Sequence, residues 1–347
     1  MLRLRQLLSP VRLAVIGLVL LVTAAAVLWL VPANGYYLFL PDTAHPLAPL
    51  VHVTGVQAQN DSDGGGIYFV DVRVRTPRLV ERLFPSLNSG ADLFPASSVR
   101  APGVTDKQQQ REDLYDMLLS QRIAAAVALK RLGYPVKMVA TGVRATDVER
   151  KAPAARVLRP GDEIVAVDGV PTPTIPRLRA VLGQHHPGDS VRVRFRRGTR
   201  LFTVAIKTVA APENPRRAII GFSPEQDLRV DLPVKVSIDT RGVGGPSAGL
   251  AFALELMEEL GRDVDHGYKV AATGALDPDG TVEPIGGVKQ KVIGARNAGV
   301  DVFLVPAGDN ARIARRYADG MRVISVDSFP QALHALATLP ARGAASD

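Results

Sequence analysis

The sequence predicts an α+β protein in which a membrane-spanning helix is followed by a β-rich module and then by an α/β module. Three patterns support this prediction. Residues 13–31 carry no charge, residues 133–209 contain short strand-like runs separated by turns, and residues 216–340 alternate between strand and helix periodicity. The chain has 347 residues, of which 46% are hydrophobic, and this is enough for two or three domains with separate cores.

The apolar stretch Leu13–Val31 is long enough for a helix to cross ~30 Å of hydrocarbon. Three arginines precede it, and no Lys or Arg follows until Arg73. This asymmetry places residues 1–12 in the cytoplasm and the rest of the chain outside the cell membrane. A cleaved signal peptide is the alternative, with a weak cleavage site at Val31-Pro32-Ala33, but its apolar region is typically about 7–15 residues long. We therefore predict a retained, single-pass anchor.

Composition excludes several classes of site. The net charge is +8, but the basic residues are dispersed and do not alternate with aromatic residues, so we expect no nucleic-acid partner. No cysteine is present, which excludes disulfides and thiolate metal sites, and the six histidines lack metal-ligand spacing. No Gly-x-x-x-x-Gly-Lys-Ser/Thr phosphate-binding loop occurs. The sequence thus predicts neither a metal nor a cofactor.

Between the anchor and residue 132 we expect a hairpin, two helices and a loop. The hairpin joins Val51–Val56 to Ile67–Val74 through a glycine-rich turn. Pro77–Phe84 is predicted as a short helix, Asn88–Val104 as a loop, and Asp106–Leu132 as a long helix with apolar residues near one face.

Residues 133–209 read as strands at Lys137–Thr141, Ile164–Val167, Val191–Phe195 and Phe202–Ile206, with a helix at Pro176–Leu182. The segment Leu158–Pro171 combines a turn, a buried strand and an Asp-Gly turn, and it resembles the central strand pair of PDZ domains. The resemblance implies binding of extended peptides at a sheet edge. A carboxylate-binding loop would be expected near Gly133-Tyr134-Pro135-Val136, where Pro135 lacks a backbone donor. Peptide binding and a spacer role therefore both remain open.

After a linker at Ala210–Pro215, the pattern becomes α/β. Strands are predicted at Val234–Ile238, Lys269–Thr273, Val302–Val305 and Val323–Val326, and helices at Ser247–Leu260, Val288–Ala298, Ala311–Tyr317 and Phe329–Leu339. A tight hairpin turn is predicted at Asp277-Pro278-Asp279-Gly280. Glycine-rich bends, Gly242–Gly249 and Pro284–Gly287, lead into the first and second of these helices.

The two bends carry the candidate chemistry. Ser247 can act as a helix cap or as a nucleophile, and the surrounding Gly245, Pro246 and Gly249 favour a site where free backbone amides stabilise an oxyanion. A serine needs a base, and no histidine occurs in a suitable motif, so we predict Lys289, with Lys291 facing solvent. A lysine base must be neutral, which requires its pKa to be lowered by several units.

These motifs resemble the proteolytic domain of Lon-type serine proteases. The resemblance rests on Gly245–Gly249, Thr273-Gly274, Pro284–Lys289 and Val302–Pro306, in the same order and spacing. It implies a fold like ribosomal protein S5 domain 2, with Ser247 as nucleophile, Lys289 as base and Thr273 orienting them. Gly245, Pro246, Gly249 and Gly287 are supporting residues. It also implies that residues 46–132 pack on the domain at 216–340 and that the PDZ-like segment is inserted between them. The chain departs from the family at Gly244 and Ala275, where acidic residues are common.

An anchor, a PDZ-like module and a Lon-type domain together resemble the membrane-bound YlbL-like PDZ proteases of bacteria. The resemblance implies an ATP-independent endopeptidase that acts on extracytoplasmic polypeptides, with the PDZ-like module presenting the peptide. The alternative is a membrane-anchored scaffold or chaperone that kept the fold without turnover. Monomer and homo-oligomer both remain open.

Overall fold

The computed structural model describes residues 10–55, 64–100, 104–212 and 214–340. Helix α1 covers Pro10–Leu30. Its window Arg12–Leu30 has a mean hydropathy of 2.7, and none of the residues in it is buried by the rest of the protein. By length and composition this helix can cross a membrane, as the sequence predicts.

Six short strands, two short helices and one long helix lie in the described residues between α1 and residue 132. The elements are β1 (Tyr36–Pro41), β2 (His45–Pro46), β3 (Val51–Val53), β4 (Gly66–Phe69), β5 (Val72–Arg75), α2 (Leu79–Leu83), β6 (Asp92–Pro95), α3 (Ala96–Val99) and α4 (Asp106–Arg131). Strand β1 pairs antiparallel with β5 and β6. The two predicted helices are confirmed, and Thr105 caps α4 in a capping box with Gln108. The predicted loop Asn88–Val104 is wrong in part, because it contains β6 and α3.

The middle module is a β-sheet with one helix. Its elements are β7 (Lys137–Val148), β8 (Glu163–Val167), β9 (Val170–Pro171), α5 (Ile175–Leu182), β10 (Ser190–Arg197), β11 (Arg200–Lys207), β12 (Val209–Ala211), β13 (Asn214–Ile219) and β14 (Phe222–Asp231). The sheet order is β11-β10-β8-β7-β14, with β9 added to β8. Its own apolar core includes Ile164, Val191 and Phe195.

The predicted linker Ala210–Pro215 is wrong in part, because residues 210–211 and 214–215 lie in strands. Residues 209–211 and 214–219 form the hairpin β12–β13, and β14 pairs with β7 along ten residues. Strand β14 therefore belongs to the sheet of the middle module, although the sequence assigned it to the α/β module. The periodicity misleads here because β14 is an edge strand whose residues are only partly buried. The module is thus connected to the rest of the chain through two adjacent strands, with Lys137 opposite Asp231.

The last module alternates strands and helices. It comprises β15 (Val236–Ile238), α6 (Gly249–Glu259), β16 (Lys269–Ala272), β17 (Ala275–Leu276), β18 (Val282–Glu283), α7 (Val288–Asn297), β19 (Val302–Pro306), α8 (Asp309–Tyr317), β20 (Arg322–Val326) and α9 (Phe329–Ala337). A sheet of order β2-β4-β16-β19-β20 runs through it, parallel from β4 onward. The four predicted helices and the β17–β18 hairpin are confirmed.

This sheet draws strands from both sides of the middle module. Strands β2 and β4 precede that module in the chain, whereas β16, β19 and β20 follow it. The predicted hairpin Val51–Val56 to Ile67–Val74 is therefore wrong, because β3 pairs with β15 and β4 pairs with β16. Helix α4 packs against α6 in one apolar core that contains Met117, Leu129 and Phe252. The α/β fold is completed by segments on either side of the β-rich module.

Candidate active site

A cleft of about 640 Å³ lies where α4, the β1–β5 sheet and the two glycine-rich bends meet. Its walls include Tyr37 and Val72 from the sheet and Asp113 and Met117 from α4. Ser247 lies in the cleft, just before α6 begins at Gly249. The cleft therefore brings together segments from three remote parts of the chain.

The bend that carries Ser247 is fixed by hydrogen bonds on both sides. The Ser247 carbonyl accepts from the Gly274 amide at 2.8 Å and from the Thr273 hydroxyl at 3.1 Å. The Pro246 carbonyl accepts from Ser120 Oγ at 2.9 Å. These contacts attach the bend to β16 and to α4, so the position of Ser247 is held by elements outside its own motif.

Close approach of neighbouring elements explains two of the glycines. A Cβ added at Gly244 would lie 2.6 Å from the Asp113 Cβ, so α4 occupies the space that a side chain there would need. Gly287 has φ +69°, and an added Cβ would lie 2.7 Å from Val72 Cγ2. Both positions are therefore restricted to glycine by packing, and Gly287 also by backbone conformation.

Lys291 is the lysine that reaches Ser247. Its Nζ lies 2.6 Å from Ser247 Oγ and 3.2 Å from Thr273 Oγ1. The side chain sits in the first turns of α7, and the residue is only 4% exposed. Burial lowers the pKa of Lys291 to about 7, and the nearby carboxylate of Asp71 acts in the opposite direction. A neutral amine can therefore lie within hydrogen-bonding distance of the serine hydroxyl near neutral pH.

Lys289, predicted as the base, lies elsewhere. Its Nζ contacts Asp92 Oδ1 at 2.8 Å and the Ala91 carbonyl at 3.2 Å. Residues two apart on a helix are separated by about 200° around the axis, so only one of the two lysines can face Ser247. The expectation that Lys291 faces solvent is wrong, and Lys289 instead joins α7 to the loop before β6. The sequence motif offered two lysines, and nothing in its periodicity distinguished them.

Comparison with known proteins agrees with this architecture. Residues 216–338 match the family model of the Lon protease (S16) C-terminal proteolytic domain, and residues 130–208 match that of the PDZ domain. The chain carries a Lon-type proteolytic domain beside a PDZ domain. The prediction from the Ser247 and Thr273 motifs and from the Leu158–Pro171 segment is thus confirmed at the level of domain families.

Individual relatives are similar over part of their length. The chain is 32% identical over 198 residues to a Lon protease of Methylocella silvestris, covering 57% of this chain and 21% of that protein. It is 30% identical over 123 residues to Lon protease 2 of Bacillus subtilis, covering 35% and 21%. The chain thus spans about a fifth of the length of these relatives. The crystal structure of a PDZ domain of an SdrC-like protein from Listeria monocytogenes is 26% identical, with a TM-score of 0.23, covering 24% of this chain and 87% of that one.

Asp71 lies in the same cleft as Ser247 and was not singled out from the sequence. It lines the cleft between β4 and β5, and burial raises the pKa of its carboxyl group. Its Oδ1 is buried without a hydrogen-bond partner within the described ranges, and His45 Nε2 lies 3.7 Å away. The only signal in the sequence was an acidic residue directly after the apolar run that forms β4, which is too common to single out a site.

The amide that could hold an oxyanion is not that of Gly245. The Gly245 amide donates to the Asp113 carbonyl at 2.7 Å, and Pro246 has no amide hydrogen. In the part of the chain that the structure describes, the amides of Ser247 and Ala248 show no acceptor. They lie at the start of α6, where backbone donors have no partner within the helix.

The PDZ domain has a separate apolar groove of about 290 Å³. One wall is the face of α5 with Leu178 and Leu182, and the other is the end of β13 with residues 220–221 and the start of β14. The groove does not include Gly133–Val136, the stretch near which the sequence predicts a carboxylate-binding loop. The sequence stretch that lines the groove, Ile219-Ile220-Gly221-Phe222, lies beyond the predicted end of the domain at residue 209.

Proposed function

We propose that this chain is a serine endopeptidase in which Ser247 is the nucleophile and Lys291 is the general base. The observation that carries the proposal is the 2.6 Å contact in the cleft between Ser247 Oγ and the Nζ of the buried Lys291. The Lon-type domain supports peptide-bond hydrolysis as the reaction. The sequence predicts Lys289 as the base, and we propose Lys291 instead. The proposed reaction, a serine activated by a neutral lysine, is the same in both cases.

The arrangement supports the following steps. Neutral Lys291 removes the proton from the Ser247 hydroxyl as the oxygen attacks the substrate carbonyl. The amides of Ser247 and Ala248 stabilise the negative charge that develops on the carbonyl oxygen. The ammonium of Lys291 then returns the proton to the leaving amine of the substrate. In the second step the neutral amine of Lys291 activates a water molecule, which hydrolyses the ester between the acyl group and Ser247. Thr273, which contacts both Lys291 Nζ and the Ser247 carbonyl, holds the two groups in register.

Cleavage of unfolded β-casein by the full chain in detergent tests this assignment. We expect Ser247→Ala and Lys291→Met each to lower kcat by more than ~10³-fold, as removal of a nucleophile or its base does. Lys289→Met is the matched control and should retain kcat within several-fold, because its ammonium contacts Asp92 rather than Ser247. Loss of activity in Lys289→Met with retention in Lys291→Met would instead support the assignment made from the sequence.

We further propose that the enzyme is tethered by α1 with its catalytic body outside the cytoplasmic membrane and that it works without ATP. The uncharged helix and the arginines before it support the topology. The 347 residues contain no phosphate-binding loop, which supports ATP independence. Membrane-impermeant maleimide should label a cysteine introduced at Leu201 in whole cells, since the chain has no cysteine of its own. Casein cleavage by the purified chain should be the same with and without ATP.

The PDZ groove is proposed to hold an extended segment of the substrate. Its support is the apolar lining from α5 and from residues 217–221, together with the outer edge of β14, which pairs only with β7 among the described strands. Ile219→Asp should raise KM for casein several-fold and leave kcat on a short peptide unchanged. Leu201→Asp, a matched change on β11 away from the groove, should leave KM unchanged. Equal KM in both variants would contradict substrate presentation by this groove.

A further inference from the structure

Three large apolar side chains are exposed together on a rigid segment near α1. Leu83, Phe84 and Leu87 are 59%, 57% and 57% exposed. The segment that carries them, residues 79–87, comprises α2 and the 3-10 turn Pro85–Leu87 and is called here the interfacial segment. Apolar side chains of this size, adjacent in the chain and uncovered, mark an interaction surface more often than a chance exposure.

A buried carboxylate holds the interfacial segment in one conformation. Glu81 accepts hydrogen bonds from the guanidinium of Arg75 at 2.5 and 2.8 Å, from the Arg78 amide at 2.8 Å and from the Asn88 amide at 3.0 Å. The Arg75 guanidinium holds the pKa of Glu81 at about 2. The segment is thus attached at both ends and to β5, and its apolar side chains are presented on a fixed backbone.

The same segment is attached to the end of α1. The Leu79 amide donates to the Val31 carbonyl at 3.0 Å, and the Ala33 amide donates to the Pro77 carbonyl at 2.8 Å. The Arg78 guanidinium donates to the Trp29 carbonyl in the last turn of α1 at 2.8 Å. Three hydrogen bonds therefore hold the interfacial segment and the two residues before it against the carboxyl end of α1.

We propose that the interfacial segment inserts Leu83, Phe84 and Leu87 into the interfacial layer of the phospholipid leaflet from which α1 emerges. This inference rests on the proposed membrane anchor. The occupant is lipid rather than a protein partner because the surface is continuous with a membrane helix. The segment also contains Arg82 and directly follows Arg78, and arginine side chains suit anionic headgroups. A second contact point besides α1 fixes the tilt of the catalytic body, since Arg75 links the segment to β5 at the wall of the cleft.

Fluorescence quenching in vesicles tests the proposal. Single cysteines are introduced at Leu83, Leu87, Leu20 and Leu201 in the full chain, which has none, and are labelled with an environment-sensitive dye. The protein is reconstituted into vesicles of phosphatidylcholine and phosphatidylglycerol that contain lipids spin-labelled near the headgroup or near the chain end. Leu201, 49% exposed on β11, is the matched control, and Leu20 reports on α1.

The shallow spin label should quench the probes at 83 and 87 several-fold more strongly than the probe at 201. The probe at 20 should be quenched most strongly by the deep spin label. Equal quenching at 83, 87 and 201, with deep quenching at 20, would overturn the inference while preserving the anchor. Absence of quenching at 20 would overturn both. Shielding of probes 83 and 87 from aqueous iodide that depends on protein density, without quenching by lipid, would show that a second copy covers the surface and would also overturn it.

Discussion

The carbonyl oxygen of Asp113 in α4 accepts a 2.7 Å hydrogen bond from the amide of Gly245, two residues before Ser247. About two turns further along α4, Ser120 Oγ donates to the Pro246 carbonyl. The two contacts are made by consecutive residues directly before Ser247, so α4 helps to determine how the bend presents Ser247 to the cleft. A helix distant in sequence thus takes part in shaping the proposed active site.

Ser120→Ala removes one of these contacts and should lower kcat while leaving KM unchanged. The Pro246 carbonyl would keep only the longer 3.3 Å hydrogen bond from the Gly249 amide, and losing the other costs about 0.5–1.5 kcal/mol in the free energy of unfolding. A displaced Ser247 should lower kcat on casein by roughly tenfold, because reacting groups need accurate alignment. Ser98→Ala, which removes an exposed hydroxyl bonded to the Pro95 carbonyl, is the control and should leave both quantities unchanged. Wild-type kcat in Ser120→Ala would show that the bend holds its shape without α4.

Asp71→Asn should move the pH profile of activity. Burial lowers the pKa of Lys291 and the Asp71 carboxylate partly offsets this, so removing the carboxylate lowers that pKa further. In the wild type kcat/KM should rise with pH through about 7 as Lys291 loses its proton. In Asp71→Asn this rise should occur at lower pH, and kcat on the plateau should decrease because the ammonium formed during attack loses its neighbouring charge. Asp231→Asn, an exposed position on β14, is the control; a profile shifted to higher pH in Asp71→Asn would contradict the proposed electrostatics.

Lys291→Met should stabilise the protein in a pH-dependent manner. The pKa of Lys291 is 10.5 in its ordinary state and about 7 in the fold, so between these values the unfolded chain holds a proton that the native protein lacks. The free energy of unfolding of the wild type therefore rises with pH across this window, and the cost of burying the lysine is largest at pH 7 and below. The free energy of unfolding of Lys291→Met should exceed that of the wild type by on the order of 3 kcal/mol at pH 7, and the difference should shrink toward pH 10. A difference in urea unfolding that does not change with pH would contradict a buried, neutral amine.

The helices and the order of modules could be predicted from the sequence because their signals are local. Helix α4 shows its periodicity over 26 residues, and the bends before α6 and α7 are marked by glycine, proline and serine. The short strand runs of the PDZ domain were also recognisable, because β8 ends in the Asp168-Gly169 turn. Local chemistry was therefore enough to predict the fold class and to place Ser247 at the bend before a helix.

Pairing and side-chain direction could not be predicted because they depend on remote partners. Strand β3 has equally good strand character whether it pairs with β4 or with β15, and only the sheet decides. Lys289 and Lys291 differ by which face of α7 they occupy, and that face is set by β6 and by the Ser247 bend. The space that a side chain at Gly244 would need is taken up by Asp113 of α4, and this contact could not be read from the sequence.

Arg144 of β7 joins the PDZ sheet to α4. Its buried Nη2 donates to Asp116 Oδ1 at 2.5 Å and to Glu225 Oε2 at 2.6 Å, and its guanidinium lies 4.4 Å from the centre of the Tyr115 ring. Tyr115 in turn donates to Asp227 at 2.9 Å. The same α4 that holds the Ser247 bend is therefore fastened to β14, the strand that borders the PDZ groove.

Arg144→Met should destabilise the protein and weaken this connection. Removing one partner of a fully buried ion pair costs about 3–5 kcal/mol. Because Asp116 and Glu225 are partly exposed, we expect about 2 kcal/mol in the free energy of unfolding. Arg229→Met, a change of an exposed arginine on β14 that lies 3.5 Å from Asp231, is the matched control and should change stability little.

If Arg144 transmits the position of β14 to α4, Arg144→Met should also lower kcat on casein at a temperature where the variant is fully folded, and Arg144→Lys should restore part of that kcat. Unfolding curves and kcat equal to those of Arg229→Met would show that α4 and the PDZ sheet are positioned independently.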